Sequence, residues 1–277
     1  MQNAFAHCGE LVRKLDRDRY LTALFAPALH RDALFALYAF NVEVGRVRDA
    51  AREALPGEIR LQWWRDVLGG ERAGEGNANP VVAALLRTIA RYGLASDALI
   101  EIVDARRFDL YDEPMPGIAD LEAYATRTAA TVFGLAAQIL GVDAAPAAEP
   151  AGIAYGITAL MRAFPVHAAR RQLYVPAELL KRHGVPLHDI FAGKSSGGLN
   201  AACAELRGLA RHHLALAHNR LAAVSREAIP AFLAVSPVRS SLDRLDRCDA
   251  FAPAEISPWR RQWLIWRAAR NPARIAG

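Results

Sequence analysis

Along most of this chain apolar residues recur at intervals of three and four, the period of an α-helix that buries one face. From position 32 to 55 the run DALFALYAFNVEVGRVRDAAREAL has no proline and few β-branched residues. Leu34, Leu37, Tyr38 and Val42 fall on helical spacing there, which predicts one long helix. Pro56-Gly57 is expected to end it, IRLQWWRDVL to open the next helix, and positions 69–80 to form a loop. Helices are predicted over 81–92 and over 96–111, the second with Ser96 as its N-cap.

A mostly apolar helix is predicted over 121–140, closed by Gly141 and followed by the linker DAAPAAEPAG. A further helix over 153–163 is limited by Pro165. From 169 to 198 the chain turns irregular, with VPAELLKRHGVP giving one short helix and GKSSGG a flexible loop. Leu206, Ala210, Leu214, Ala217, Leu221 and Val224 mark an amphipathic helix. No segment alternates like a strand, and there is no internal repeat, Walker loop or GxGxxG cradle. The expected class is all-α.

Composition sharpens this picture. With 277 residues, 53% of them hydrophobic, the chain can bury a large core, and one domain over 1–277 is expected. Nearly all cations are arginine, since lysine occurs only at Lys14, Lys181 and Lys194. Arginine suits carboxylate and phosphate partners, and it also accumulates with alanine in GC-rich genomes. Cys8, Cys203 and Cys248 form no CxxC pair, so neither a disulfide framework nor a zinc site is expected. The N-terminal segment lacks a continuous apolar run, and the longest apolar stretch, 129–142, is too short to span a bilayer. These features suggest a bacterial cytosolic protein, with peripheral attachment to the inner membrane as an open alternative. The pI of about 9.4 permits nucleic-acid binding, but no motif supports it, and no nucleic-acid partner is expected.

Four stretches, in order, carry a family resemblance: RDALFALYAFNVEVGRVRDAA, LQWWRDVLGGE, EIVDARRFDL and RRQLYVPAELLKRHGV, followed by LARHHLALAHNRLAAVSREAIPAFL. Together, over roughly 15–245, they resemble the squalene/phytoene synthase family. The resemblance implies a helical isoprenoid synthase fold around a central cavity, with 246–277 adding a Trp/Arg-rich C-terminal helix. In that family two aspartate-rich motifs on facing helices hold magnesium, which neutralises the diphosphates of prenyl donors joined head to head.

The carboxylates for that chemistry are largely missing. Where the family reads approximately LYAFCRxxDDxxD, this chain reads LYAFNVEVGRVRD, with Asn41 in the stretch, Gly45 and Arg46 at the adjacent aspartate positions, and only Asp49 remaining. Glu43 lies about 120° around the helix from Asp49 and does not replace them. At the second motif ALMRAFPVHAARRQLYVP has no acidic residue at all. Arg162, His167, Arg170 and Arg171 make that segment basic, Pro165 disfavours an unbroken helix, and Gln172 stands two residues before Tyr174 where family enzymes often carry arginine. No cofactor is therefore expected; magnesium belongs only to the alternative reading. The RAFPVHAARRQLYVP arrangement resembles the noncatalytic branch of the family, which implies a role in assembling respiratory complex I with a protein partner. The alternative is an active or partner-dependent head-to-head prenyl synthase. A prenyl lipid in the cavity and an anionic membrane surface stay open as further partners.

Other candidates have plainer readings. Asp49 can pair with Arg46 or Arg52 three residues away. Asp109 matches a cavity-lining aspartate of the family, yet with Asp104, Asp112 and Glu113 nearby a solvated helix end is the expectation. His212, His213 and His218 lack the spacing of a zinc site. Arg170 and Arg171 suit either a phosphate or acidic partner, or the capping of a helix C-terminus. Trp259, Trp263 and Trp266 recur at i, i+4 and i+7 among arginines, as on an interfacial helix or one docked into the core; docking is the expectation.

Overall fold

The apolar periodicity becomes helix throughout: the computed structural model describes residues 2–50, 53–72 and 78–277 and has no strand among them. The first part comprises α1 (Gln2–Leu15), α2 (Arg17–Ala23), α3 (Ala28–Gly45), α4 (Val47–Ala50), α5 (Ala54–Leu68), α6 (Pro80–Tyr92) and α7 (Ser96–Ala105). A 3-10 turn at Arg106–Leu110 leads to α8 (Ile118–Ala125), a π turn at Thr126–Ala130, α9 (Thr131–Ile139) and α10 (Ala145–Arg162). The chain continues through α11 (Phe164–Ala169), α12 (Ala177–Arg182), α13 (Leu187–Phe191), α14 (Gly197–Leu221), α15 (Ile229–Phe232), α16 (Val238–Leu245) and α17 (Pro258–Arg270).

Several predicted boundaries move. The long helix ends at Gly45, because Arg46 leaves helical geometry at φ −110°. Pro56 does not stop a helix; it is the third residue of α5, where a backbone N–H has no intrahelical partner to lose. Gly57 follows because a Cβ there would lie 2.4 Å from Cδ2 of Leu110. Ser96 is the first residue of α7 rather than its cap, and Ala95 precedes it without a side-chain bond. That helix closes at Ala105 and tightens into the 3-10 turn instead of running to 111.

The expected linker after Gly141 is instead the first half of α10. Pro146 sits in its first turn, and Pro150 lies inside, at the cost of one backbone bond. Tertiary packing explains why the helix persists: α10 runs through the molecule against α14, α9 and the π turn. Contact with that turn is backbone-close, since a Cβ on Gly152 would stand 2.3 Å from Cα of Ala130, and one on Gly156 would stand 3.1 Å from Cβ of Ala125. The π turn lies within the predicted 121–140 helix and widens it by one residue without interrupting it, with the Thr131 N–H reaching back to the Thr126 carbonyl. In the region read as irregular, α13 adds a second short helix, and Val224 lies beyond the end of α14.

On the other side of the molecule α3 packs against α1, α6 and α9. Its Phe40 ring meets the fully buried Trp64 of α5 edge-on at 5.1 Å. The end of α3, the 3-10 turn, α8 and the α11 segment converge on one polar cluster. No helix among the described residues is long and apolar enough to cross a membrane.

Candidate functional site

The cluster is organised around Asp109, which the 3-10 turn carries into the interior. Asp109 is buried, not the solvated helix end expected from its acidic neighbours. Its Oδ1 accepts hydrogen bonds from Tyr124 of α8 at 2.8 Å and from Tyr174 at 2.6 Å. Its Oδ2 lies 3.3 Å from Nη1 of Arg106, and its backbone carbonyl accepts a bond from Gln172 at 2.8 Å. The presumed acidic cluster does not exist: Asp104 pairs with Arg65, and Asp112 with Arg48 at 2.9 Å.

Arg106 supplies the positive charge at the centre. Its Nη1 also donates to Tyr124 at 2.6 Å. Burial works against its charge, but Tyr124 and Asp109 outweigh that, and its pKa is raised. Burial likewise pushes the Tyr124 and Tyr174 hydroxyls far above the ordinary tyrosine range. All three groups therefore keep fixed protonation states at neutral pH. Phe108, Tyr124 and Tyr174 pack as an aromatic triangle around the carboxylate, with centroids 5.6 to 6.0 Å apart.

The two degenerate motifs meet at the edge of this cluster. Asn41 is buried on α3, and Gly45 ends that helix facing the Arg106 guanidinium. Asp49, on α4, is held by Arg46 at 3.7 Å and by a direct bond from Arg170, the residue that caps α11. The predicted Arg46 pairing is thus present, whereas Arg52 lies outside the described residues. Arg171, at φ 59°, stacks on Phe191 and lies 3.9 Å from Asp112, which Arg48 also holds. Arg170 and Arg171 therefore serve carboxylates of their own chain. Pro165 is the second residue of α11, and Ala163 separates that helix from α10 at φ −88° and ψ 0°. The second-motif segment is thus two helices, not one.

His167 lies beside this network, its ring 4.8 Å from that of Tyr174 and its buried Nδ1 without a hydrogen-bond partner. Burial lowers its pKa, helped by Arg170 and opposed by Asp109 and Asp49. Beyond His167 and Tyr174 runs an apolar crevice lined by Ile157, Met161, Phe164 and Leu206, with room for about one water. Arg162 does not join the cluster; it turns away to grip both oxygens of Glu255, at 2.6 and 2.8 Å.

Magnesium does not fit these residues. Asp49 is already engaged by two arginines, and Glu43 turns toward Arg60, 3.8 Å away, with burial raising its carboxyl pKa. Among the described residues no three His, Cys, Asp or Glu side chains converge as metal ligands. The α14 histidines follow suit, with His213 bonded to Glu122 at 2.7 Å.

Sequence reasoning missed Arg106, Arg48 and Tyr124. The available signal for Arg106 was its position three residues before Asp109 in ARRFD, which allows an ion pair within one turn. For Tyr124 and Arg48 no local signal exists, because their partners come from other segments.

Comparison with known proteins places this geometry. The sequence model of the squalene/phytoene synthase family matches residues 12–267. The chain is 32% identical over 246 residues to the human protein named NADH dehydrogenase (ubiquinone) complex I, assembly factor 6, covering 88% of this chain and 74% of that one. It is 27% identical over 216 residues to a presqualene diphosphate synthase of Sinorhizobium fredii, covering 76% and 77%. Among solved structures, a dehydrosqualene synthase crystallised with a ligand superposes with a TM-score of 0.82 at 18% identity, over 97% of this chain and 96% of that one. That likeness is one of fold.

Proposed function

This chain belongs to the squalene/phytoene synthase family, and from that premise we propose that it is a noncatalytic member, an assembly factor for respiratory complex I. The observation that carries the reading is the bond from Arg170 of the second motif to Asp49 of the first. Family chemistry requires metal between the two motifs to neutralise a leaving diphosphate. Here an arginine from the second motif neutralises the last carboxylate of the first, and Arg106 fills the space beside Gly45 with a second fixed cation. The relatives named as complex I assembly factors, at 32% identity, support the same reading. It is a protein that binds a respiratory-complex subunit and works at the surface of the respiratory membrane without crossing it.

Two measurements test this. Deleting the gene from its host is expected to lower assembled complex I, and re-expression of this chain is expected to restore it. Purified protein given magnesium and farnesyl diphosphate is expected to release no diphosphate. Unaltered complex I after deletion, or magnesium-dependent release of diphosphate, overturns the proposal.

A further inference from the structure

Helix α17 presents two unlike faces. Leu264, Ile265 and Ala268 are buried, and through them the helix packs on α2. The opposite face carries Trp259, Trp263 and Trp266, exposed by 81%, 51% and 47%. The helix docks as expected from the sequence, but through Leu264, Ile265 and Ala268, and the indoles lie outside the core. They are three of the five tryptophans in the chain, and leaving so much aromatic surface in water needs a reason.

The helix is fixed in this orientation. Arg261 donates to Asp18 of α2 at 3.0 Å and to Glu255 at 2.9 Å, and Arg162 of α10 holds Glu255 as well. The Ser257 hydroxyl caps the first turn by accepting from the Arg260 N–H at 3.3 Å. Turning the indoles inward would break these bonds and expose Leu264 and Ile265.

Apart from Gln262, the polar residues of α17 are cationic. Arg267 lies over the Trp263 ring at 4.5 Å and Arg270 over Trp266 at 4.9 Å, while Arg260 is exposed beside Trp259. No aspartate or glutamate occurs from residue 256 to 277. Indoles prefer the depth at which hydrocarbon gives way to headgroups, and arginines around them suit headgroup phosphates. A second copy of this chain fits poorly, because a two-fold contact would set the same arginines against one another.

We propose that the Trp259–Trp263–Trp266 face of α17 docks the protein on an anionic lipid bilayer. The inference deepens the membrane-surface part of the function proposed above and rests on it.

The test uses the full-length protein with vesicles of phosphatidylcholine alone and of phosphatidylcholine mixed with phosphatidylglycerol. Wild type is expected to co-sediment with the mixed vesicles, with a blue-shifted tryptophan emission, and to release as salt rises. The triple variant Trp259→Ala, Trp263→Ala, Trp266→Ala alters only exposed side chains, and circular dichroism checks that it stays folded. Its partitioning is expected to fall at least about tenfold. Replacing Arg260 and Arg270 by glutamine, with every indole kept for the fluorescence readout, is expected to weaken binding to the mixed vesicles by about tenfold or more.

The inference is overturned if wild type ignores the mixed vesicles, if it binds both compositions alike, or if the triple variant binds as wild type does. It is also overturned if light scattering finds a dimer that the triple variant loses. Complementation separates the two proposals: a triple variant that misses vesicles yet restores complex I sinks the docking role and leaves the assembly function standing.

Discussion

The guanidinium carbon of Arg106 lies 3.6 Å from the position a Cβ on Gly45 would occupy. Gly45 stands at the first-motif position one turn before Asp49, so the cation fills space that a metal-facing carboxylate would need. Asp109 and Tyr124 hold the guanidinium there, at 3.3 and 2.6 Å. The arginine is part of the buried framework, and simple restoration of the lost aspartate meets it directly.

A carboxylate returned at position 45 is therefore expected to pair with Arg106 rather than to recruit metal. Titration calorimetry of Gly45→Asp with magnesium should show no binding heat; metal binding by this single variant would contradict the assignment of Arg106. Gly45→Ala has only ordinary contact to make and sits in helical geometry, so it should stabilise the fold by about 0.4–1 kcal/mol in urea denaturation.

Removing the charge of Asp109 would leave Arg106 buried without its counter-ion. Asp109→Asn is expected to cost about 3–5 kcal/mol, the range for breaking one partner of a buried pair. Tyr174→Phe removes one of two hydroxyls on the same oxygen and should cost only about 1 kcal/mol. Equal losses in denaturant melts would mean that the network is not centred on the carboxylate.

The all-helical class and the helices over 81–92 and around 206–221 were legible because their apolar faces are periodic and no proline interrupts them. The family was legible from the order of its stretches. Less visible was anything decided at a distance. The prolines of DAAPAAEPAG read as a linker, yet packing on the π turn and on α14 keeps that stretch helical. Pro56 read as a stop because its place in the new helix depended on where α3 ended. Asp109 read as solvated because its neighbours are acidic, while its burial depends on Tyr124 and Tyr174, which lie 15 and 65 residues away. The tryptophan stripe was plain, but its outward direction follows from Arg261 and its two carboxylates.

Two glycines on long helices should respond in opposite ways to the same substitution. At Gly152 an added methyl meets the Ala130 backbone at 2.3 Å, so Gly152→Ala must push α10 off the π turn and is expected to cost about 1–3 kcal/mol or more. At Gly208, on the exposed side of α14, nothing lies within 4 Å, and Gly208→Ala should gain about 0.5–1 kcal/mol from helix propensity. A neutral Gly152→Ala would show that the close approach of α10 is not needed.

His167 should make stability fall on mild acidification. Burial lowers its folded pKa below the ordinary 6.5, with Arg170 and Arg106 adding to the effect and Asp109 and Asp49 opposing it. Above 6.5 the ring is neutral in both folded and unfolded chains, and it contributes no pH dependence. As the pH drops below 6.5 the unfolded chain takes up the proton first, so the equilibrium shifts toward unfolding until the folded pKa is reached. Thermal midpoints of wild type and His167→Gln, compared between about pH 7.5 and about pH 5, isolate the effect. The wild type should lose more stability than the variant over that interval; parallel losses would show that the buried ring is already protonated or freely solvated in the folded state.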